Sequence, residues 1–441
     1  GVSYIFVGHD VGDPDAIIAY RYTGSSYQIA WQWGYANIAS QGCALAVWDL
    51  DNDGTVEVLH PNHYTSEDFG SMFCRVATTG ADKWKYPTDG ADPMSPTIYD
   101  VDNNGVSEVF FSDTREDYIY CVNANGTLRW RAAAKNMKYA PAVGQVIPGG
   151  DPEVIGTSGD TLVMWNARTG SRLATKYLGS VTISSAPAIA DADRNDTMEV
   201  FIYTNGLLWC LKPSGGTFLT RWTQTVPVGG NIQKQGMGIA DLNGDGWLDV
   251  VIGSGGTSSD YPTLYDRVHC FRGYDGVVVW RTRALAGDVH RGVAIADIDG
   301  DNRWEVIAQT TRDTVYCIAG ENGSIQWQVF LPGCSDPHDV SIGDTDNDGC
   351  SEIVLAGDGS NDLWIIDRPG TNCGYVEVKE AEIPRTPLMA WFSGGVLYIT
   401  SFQSGDASVR IYDPVGRAVI SREINLARGE NAIGLELRTG V

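Results

Sequence analysis

The sequence predicts an all-β protein whose chain forms a ring of similar four-stranded sheets. Three observations lead to this prediction: an acidic phrase that recurs six times, apolar segments of strand length on both sides of each phrase, and no segment with the helical period of about 3.6 residues. With 441 residues the chain is too long for one ordinary core, but a closed array of repeats can contain most of it. The 52 glycines and 14 tryptophans fit a protein with many turns and aromatic-rich strands.

The recurring phrase reads D-x-[DN]-x-[DN], followed four residues later by Glu or Asp and then by a branched apolar run. It stands at 49–59, 100–111, 191–202, 241–253, 297–308 and 344–357. Most copies begin about 50 residues apart, a spacing typical of units built from four short strands. One gap, between 100 and 191, is double, and a further unit at 140–156 fills it.

Each unit continues in the same way. An apolar strand precedes the acidic loop, a second follows it, a third usually carries a cysteine, and a turn leads to a fourth strand with a tryptophan, as in TLRWRA, VVVWRT and SIQWQV. Four short strands in a unit of roughly 40–50 residues are typical of a blade of a β-propeller. The tryptophans recur at one position of the unit, which favours packing between blades over stacking on carbohydrate.

The start of the chain decides the number of blades. Residues 3–33 look like the last three strands of a blade, and seven later units carry all four strands. A strand from 386–393 would complete the first blade and give eight blades, which we favour; otherwise the ring has seven blades and an N-terminal appendage. The predicted domains are a propeller at 1–380, a linker at 381–389 and a small C-terminal β-sandwich at 390–441.

Oxygen ligands at alternate positions of a tight loop indicate a site for a hard cation such as Ca²⁺. Side chains at positions 1, 3 and 5 converge on the ion, glycine at position 6 permits the turn, and the carboxylate at position 9 closes the shell. About six calcium sites are predicted on this basis. Their ligands are Asp49, Asp51, Asp53 and Glu57; Asp100, Asp102, Asn104 and Glu108; Asp191, Asp193, Asn195 and Glu199; Asp241, Asn243, Asp245 and Asp249; Asp297, Asp299, Asp301 and Glu305; and Asp344, Asp346, Asp348 and Glu352.

Alternative interpretations of these loops fit less well. An EF-hand needs helices on both flanks, whereas strands flank these loops. Asx-rich turns without metal would place several carboxylates together, and these repel one another unless a cation lies among them. The loops at 191 and 297 have Asp196 and Asn302 in place of glycine. In the unit at 140–156 only Glu153 is kept, because Gln145, Ile147 and Gly149 replace the ligands. We expect that unit to retain the fold and to have lost the ion.

The D-x-D-x-D-G-x-x-[DE] loop between two strands resembles the FG-GAP/VCBS family of calcium-binding propeller repeats. The N-G-x-x-x-W turn and strand are similar to quinoprotein-like propeller repeats. The resemblance covers roughly residues 1–380. It implies a calcium-bound β-propeller.

The net charge limits the classes of molecule that the chain can bind. A formal charge of −24 argues against nucleic acid, whose phosphates would be repelled. Of the 55 acidic residues, 21 are predicted metal ligands, so we interpret the acidity mainly as a metal-site feature. No apolar run has membrane-spanning length.

The cysteines fall into two sets. Five of them recur at one point of successive units and are expected to be buried and free. Among Cys334, Cys350 and Cys373 one pair is a candidate disulfide.

The last sixty or so residues follow a different pattern and resemble the C-terminal sorting module of proteins exported by the type IX secretion system. The residues that carry this likeness are Ile411, Tyr412, Asp413, Gly416, Arg417, Gly429, Asn431, Ile433 and Gly440. An open sheet edge in such a module would be a place for another chain to pair.

Catalytic motifs are few. A D-x-H phrase occurs twice before a predicted first strand, as Asp288 with His290 and Asp336 with His338. These groups are candidates for an axial metal or acid–base site, although polar loop residues are the plainer interpretation. We therefore predict a non-enzymatic, secreted, calcium-stabilised propeller that serves as a surface adhesion, scaffold or self-assembling matrix protein. Its partners would be other copies of the chain or another surface protein or glycan. A calcium-dependent polysaccharide lyase is the alternative, and a quinone-dependent dehydrogenase is third.

Overall fold

The fold is known from a computed structural model. It describes residues 2–8, 17–24, 26–34, 44–62, 70–88, 93–204, 206–227, 236–255, 265–289, 291–332, 340–356 and 363–367, and the backbone of six strands between 377 and 434. Every regular element within these ranges is a β-strand. Among the described residues no helix is long and apolar enough to cross a membrane.

Eight sheets follow one another along the chain as blades. Blade 1 comprises β1 (Tyr4–Gly8), β2 (Ile17–Tyr22) and β3 (Tyr27–Trp33), and blade 2 comprises β4 (Ala46–Trp48), β5 (Glu57–Asn62), β6 (Ser71–Val76) and β7 (Asp82–Pro87). Blade 3 comprises β8 (Thr97–Tyr99), β9 (Glu108–Asp113), β10 (Tyr118–Val122) and β11 (Leu128–Ala133), and blade 4 comprises β12 (Ala142–Gly144), β13 (Glu153–Ser158), β14 (Thr161–Asn166) and β15 (Arg172–Tyr177). Blade 5 comprises β16 (Ala188–Ala190), β17 (Glu199–Thr204), β18 (Leu207–Ser214) and β19 (Thr217–Thr225), and blade 6 comprises β20 (Gly238–Ala240), β21 (Asp249–Gly253), β22 (Val268–Arg272) and β23 (Val278–Arg281). Blade 7 comprises β24 (Val293–Ala296), β25 (Glu305–Thr310), β26 (Thr314–Ala319) and β27 (Ile325–Phe330), and blade 8 comprises β28 (Ser341–Gly343), β29 (Glu352–Ala356), β30 (Leu363–Asp367) and β31 (Glu377–Ala381).

Within each blade the strands pair antiparallel in chain order. The first strands of successive blades contact one another, as β4 with β8, β8 with β12 and β20 with β24, so they form the inner side of the ring. The second strands are almost entirely buried, because both of their faces pack against neighbouring blades. This arrangement confirms the predicted all-β propeller with eight blades.

Blade 1 has three strands among the residues that the structure describes. Its strands β2 and β3 shift register after Ala19, which is paired with Trp31, as those of blade 3 shift after Cys121, which is paired with Trp130. Strand β1 therefore corresponds to a second strand, as the sequence predicted. The strand expected to complete this blade, from 386–393, was wrongly assigned, since β32 (Leu388–Ser393) pairs with β33 (Val396–Ser401). A cavity of about 560 Å³ lies beside β1, and residues of β4 and β28 also line it.

The ring closes where blade 1 packs against blade 8. Ile18 and Tyr20 of the first blade share a buried cluster with Leu363 and Ile365 of the last. The Tyr27 hydroxyl lies 2.6 Å from Thr345 Oγ1 in the same region. Side-chain packing and hydrogen bonds therefore join the two ends of the ring.

Tryptophans join most of the other blades. The Trp84 indole N–H of blade 2 donates to the Ala124 carbonyl of blade 3 over 2.7 Å, and Trp31, Trp130, Trp222 and Trp280 make the same contact with the blade that follows each of them. Each indole also covers a turn glycine of that next blade. This confirms packing between blades as the role of these aromatic rings.

The cysteine predictions are confirmed where the structure describes them. Cys74, Cys121, Cys210, Cys270 and Cys317 are buried and free. Cys350 is disulfide-bonded, and its partner lies outside the described residues.

Beyond blade 8 the backbone forms two small sheets. Strands β32, β33 and β36 (Gly429–Gly434) make one sheet, and β34 (Gly405–Tyr412) pairs with β35 (Ala418–Leu426) in the other. The boundaries 1–380, 381–389 and 390–441, and the assignment of a sorting module, stay predictions.

Candidate metal centres in the acidic loops

The six acidic loops join the first strand of a blade to the second, in blades 2, 3, 5, 6, 7 and 8. The aspartate at position 1 accepts a hydrogen bond from the backbone N–H at position 6 in each of them. The Gly54 N–H donates to Asp49 Oδ2 over 2.9 Å, and the Gly246 N–H donates to Asp241 Oδ2 over 2.8 Å. The side chain at position 5 accepts from the backbone N–H at position 7. These bonds give all six loops one shape.

The backbone enters the left-handed region at positions 4 and 6 of every loop. Position 4 is Asn52, Asn103, Arg194, Gly244, Gly300 or Asn347, and position 6 is Gly54, Gly105, Asp196, Gly246, Asn302 or Gly349. Asp196 (φ 67°) and Asn302 (φ 65°) adopt the same conformation as the glycines. Asn and Asp tolerate this region better than most residues. The two loops without glycine at position 6 therefore keep the geometry of the others.

The acid at position 9 begins the second strand and is buried in each loop. One of its oxygens accepts the backbone N–H of position 2, as in Leu50 to Glu57 at 2.9 Å and Ile298 to Glu305 at 2.9 Å. Its other oxygen is left for a further partner. In blade 4, Glu153 keeps the backbone contact although Gln, Ile and Gly replace the acids at positions 1, 3 and 5, since the Val146 N–H donates to it over 2.9 Å. Position 9 thus has a structural role that is independent of metal.

The structure brings predicted ligands together in four loops. In each group the carboxylate atoms lie within 4.8 Å of one another. The groups are Asp49, Asp51 and Asp53; Asp191, Asp193 and Glu199; Asp297, Asp299 and Glu305; and Asp344, Asp346, Asp348 and Glu352. The loops at 100 and 241 are not among these groups. Oxygen-rich loops of this shape are suited to Ca²⁺.

Basic side chains of the same blade enter three of the loops, which the sequence analysis missed. In blade 2 the Lys83 ammonium lies 2.9 Å from Asp51, 3.3 Å from Asp53 and 2.8 Å from Glu57. Burial opposes the charge, but hydrogen bonds to Glu57 and Asp51 raise the pKa of Lys83 above its ordinary value. The lysine remains a cation throughout the physiological range.

Blades 3 and 5 have the same arrangement with arginine. Arg129 Nη1 lies 2.8 Å from both Asp102 and Glu108, and Arg129 holds the pKa of Asp102 below its usual range. Arg221 Nη1 lies 2.7 Å from Asp193, which Lys212 also approaches at 3.3 Å. The signal in the sequence was the residue before the tryptophan of the fourth strand, which is Lys83, Arg129 or Arg221 in these blades.

The position-9 acids of blades 6 and 8 form no ion pair with a basic side chain among the described residues, whereas Lys83, Arg129 and Lys212 lie 2.8–3.4 Å from those of blades 2, 3 and 5. Asp249 is fully buried, and its Oδ1 has no hydrogen-bond partner among the described residues. Glu352 is also fully buried, and its Oε1 likewise has no hydrogen-bond partner among the described residues. Burial, helped by neighbouring carboxylates, raises the pKa of each to about 7. A bound cation would supply the missing partner and favour the ionised form.

The candidate axial group lies mostly outside the described residues. His290, Asp336 and His338 are not described, and only Asp288 is placed. The backbone of Asp288 is hydrogen-bonded to Thr311, at the turn between β25 and β26 of blade 7. The axial site stays a prediction.

Comparisons with known proteins agree with the fold and with one repeat. Residues 241–308 match the FG-GAP-like repeat family, a span that runs from the acidic loop of blade 6 to the second strand of blade 7. The comparison with curated proteins finds no match. The chain is therefore a β-propeller that contains an FG-GAP-like repeat.

Several solved structures are similar to the chain. Sqt1 of Saccharomyces cerevisiae is 13% identical, with 80% of this chain and 92% of that chain covered and a TM-score of 0.55. The computationally designed Ika8 protein is 12% identical, with 82% and 95% covered and a TM-score of 0.50. BamB from Moraxella catarrhalis is 14% identical, with 87% and 98% covered and a TM-score of 0.49. At these identities the likeness concerns the fold alone.

Proposed function

We propose that the chain is a calcium-binding β-propeller that acts as a non-enzymatic binding or scaffold module outside the cell. The observation that carries the calcium part is the Asp249 carboxylate. It is fully buried at the base of an acidic loop, and one of its oxygens lacks a hydrogen-bond partner among the described residues. Leaving a buried carboxylate oxygen without a partner is costly, and a cation in the loop removes that cost.

The location follows from the affinity expected for such loops. Extracellular calcium modules bind with dissociation constants of about 10⁻⁴–10⁻³ M. Millimolar calcium then stabilises the fold by about 0.5–1.5 kcal/mol for each occupied site. Cytosolic calcium would leave these sites largely empty. A protein that depends on them is suited to an extracellular or cell-surface position.

The non-enzymatic role is supported by the structural roles of the side chains that recur in the blades. The buried acids at position 9 hold loop backbone, and the tryptophans join blades. Propeller loops on a rigid ring also offer a broad surface for a protein or glycan partner. Self-association through the C-terminal strands is the route to a scaffold that we favour, because strand edges pair readily with other chains.

Analytical ultracentrifugation of the intact chain tests the proposal. The size is measured first in about 2 mM CaCl₂, near the extracellular calcium concentration, and then in excess EGTA, which removes calcium. Calorimetric titration with CaCl₂ accompanies it. We expect calcium binding, a rise in the unfolding temperature and calcium-dependent oligomers. A protein that binds no calcium would overturn the calcium part. A monomer that cleaves an acidic polysaccharide would replace the scaffold role with the lyase alternative.

A further inference from the structure

The acidic loops are not equivalent, because a residue of the fourth strand differs among the blades. The residue before the docked tryptophan points back at the acidic loop of its own blade. Lys83 and Arg129 at this position contact Glu57 and Glu108, both at 2.8 Å. In blade 7 the corresponding Gln326 donates to Glu305 over 3.4 Å. The same place therefore holds a cation in some blades and a neutral group in others.

In blade 2 the ammonium uses the oxygens that an ion would need. Lys83 contacts Asp51, Asp53 and Glu57, the side chains at positions 3, 5 and 9. Calcium binds such oxygens at about 2.3–2.6 Å, so the ion and the ammonium cannot share them. A tethered group has an effective concentration of about 1 mM or more. The ammonium is therefore present at the loop at all times, whereas an ion whose dissociation constant is about 10⁻⁴–10⁻³ M binds only when its free concentration reaches that range.

Cations also enter the loops of blades 3 and 5, and in blade 5 Lys212, not Arg221, approaches the position-9 acid, with its Nζ 3.4 Å from Glu199 Oε1. Arg129 donates a bidentate pair of hydrogen bonds to Asp102 and a further hydrogen bond to Glu108. In blade 5, Arg221 and Lys212 both contact Asp193. Two parallel N–H···O bonds between guanidinium and carboxylate are among the stronger side-chain contacts.

In blade 6 the nearby bases are engaged elsewhere. Val279 precedes the tryptophan there. Arg272, which occupies the place of Lys212, donates two hydrogen bonds to Asp275, at 3.0 and 2.5 Å, and its guanidinium lies over the Tyr274 ring. Arg194 of the preceding loop stacks on Trp247, 4.7 Å from the ring centre. Asp249 Oδ1 stays without a hydrogen-bond partner among the described residues.

We infer that tethered cations replace the metal ion in blades 2, 3 and 5, and that calcium binds on the arc of the ring that begins at blade 6. This inference rests on the proposed calcium binding and deepens it. The inference leaves one ion each for blades 6 and 7, where the residue before the tryptophan is neutral (Val279 and Gln326) and Asp249 Oδ1 lacks a hydrogen-bond partner among the described residues. The side chains of β31 lie outside the described residues, so blade 8 is not assigned. Calcium then stiffens one side of the ring, while the other side keeps its loop geometry at any calcium concentration.

An exchange of two residues tests the inference. Equilibrium dialysis with radioactive calcium counts the ions bound by the wild-type chain, by Lys83→Gln, by Gln326→Lys and by the double variant. We expect Lys83→Gln to bind one ion more than wild type, Gln326→Lys one ion fewer, and the double variant the wild-type number. Lys85→Gln is the matched control, because it removes a charge from the same strand; Lys85 lies over the Phe73 ring. An unchanged ion count in both single variants would overturn the inference.

A second measurement needs no change at Lys83. Trp247 and Trp304 lie inside the loops of blades 6 and 7, and Trp48 directly precedes the loop of blade 2. Terbium luminescence excited through tryptophan should fall in Trp247→Phe and Trp304→Phe and stay unchanged in Trp48→Phe. Loss of signal in Trp48→Phe, or four or more ions in the wild-type chain, would reject the inference and leave the proposed calcium binding intact. A wild-type chain without any bound calcium would reject both.

Discussion

The Tyr27 hydroxyl donates to Thr345 Oγ1 over 2.6 Å, and Thr345 Oγ1 in turn donates to Glu352 Oε2 over 2.7 Å. This chain of hydrogen bonds crosses the junction between blade 1 and blade 8. It also ends on the position-9 acid of the last acidic loop. Closure of the ring is therefore linked physically to a candidate metal centre.

Tyr27→Phe removes this link without a large change in volume. A buried hydrogen bond of this kind contributes about 1 kcal/mol, so we expect the free energy of unfolding to fall by about that amount. Urea denaturation measures the loss. Tyr203→Phe is the control, because its hydroxyl bonds to the Val226 carbonyl within blade 5 at 2.7 Å. Hydrogen exchange should quicken in blades 1 and 8 for Tyr27→Phe only; equal exchange in the two variants would contradict the link.

His60 accepts a hydrogen bond from Arg75 Nε over 3.0 Å, and both side chains are buried. Burial first, and the Arg75 charge second, lower the pKa of His60 from 6.5 to about 3. The unfolded chain therefore binds more protons than the folded chain between these values, and stability falls as the pH drops from 6.5 to 3. The loss from this group is about 1.4 kcal/mol per pH unit.

His60→Gln keeps an acceptor and cannot titrate. Urea unfolding of wild type and variant at several values between pH 6.5 and pH 4 measures the difference in slope. We expect the wild type to lose stability more steeply than the variant. Parallel curves would show that His60 does not carry this acid sensitivity.

Gly276 lies at a turn of blade 6 under the Trp222 ring of blade 5. Its φ is +72°, and a Cβ there would stand 2.6 Å from the indole. Gly276→Ala should cost about 1–3 kcal/mol, because overpacking displaces the ring that joins the two blades. Gly215→Ala has a positive φ of +54° and no atom within 4 Å, so it isolates the backbone cost. Thermal unfolding of both variants checks this, and an equal loss in both would contradict the packing argument.

Asp249→Asn should make the stability of the chain less dependent on calcium. In EGTA the amide relieves a buried carboxylate whose pKa burial has raised to about 7, so the variant should unfold at a higher temperature than wild type at pH 8. In calcium the wild type gains about 0.5–1.5 kcal/mol from one ion and the variant does not, so the advantage of the variant should shrink by that amount. Differential scanning calorimetry in both buffers measures the two effects. Asp160→Asn, outside the loops, is the control, and an equal advantage in both buffers would argue against an ion at Asp249.

The sequence predicted the blades and the loops because their signals are local. A loop spans nine positions, and its strands flank it directly. The cations in the loops were missed because Lys83 and Arg129 belong to the fourth strand, at the outer edge of the blade. They lie 26 and 21 residues after Glu57 and Glu108 in the sequence. The pairing partner of residues 386–393 was predicted wrongly for a similar reason. Whether this strand pairs with β33 or with β1 depends on competition between two sheet edges that are distant in sequence.

The indole contact has one direction at the five junctions that have it: each tryptophan donates to a carbonyl of the blade that follows. Blades 2, 3 and 6 therefore carry both the donor for the next blade and the acceptor for the previous one. Duplication or loss of such a blade would join an indole to the same kind of acceptor as before. Propellers with different numbers of these blades can therefore arise by gene rearrangement without a new kind of interface.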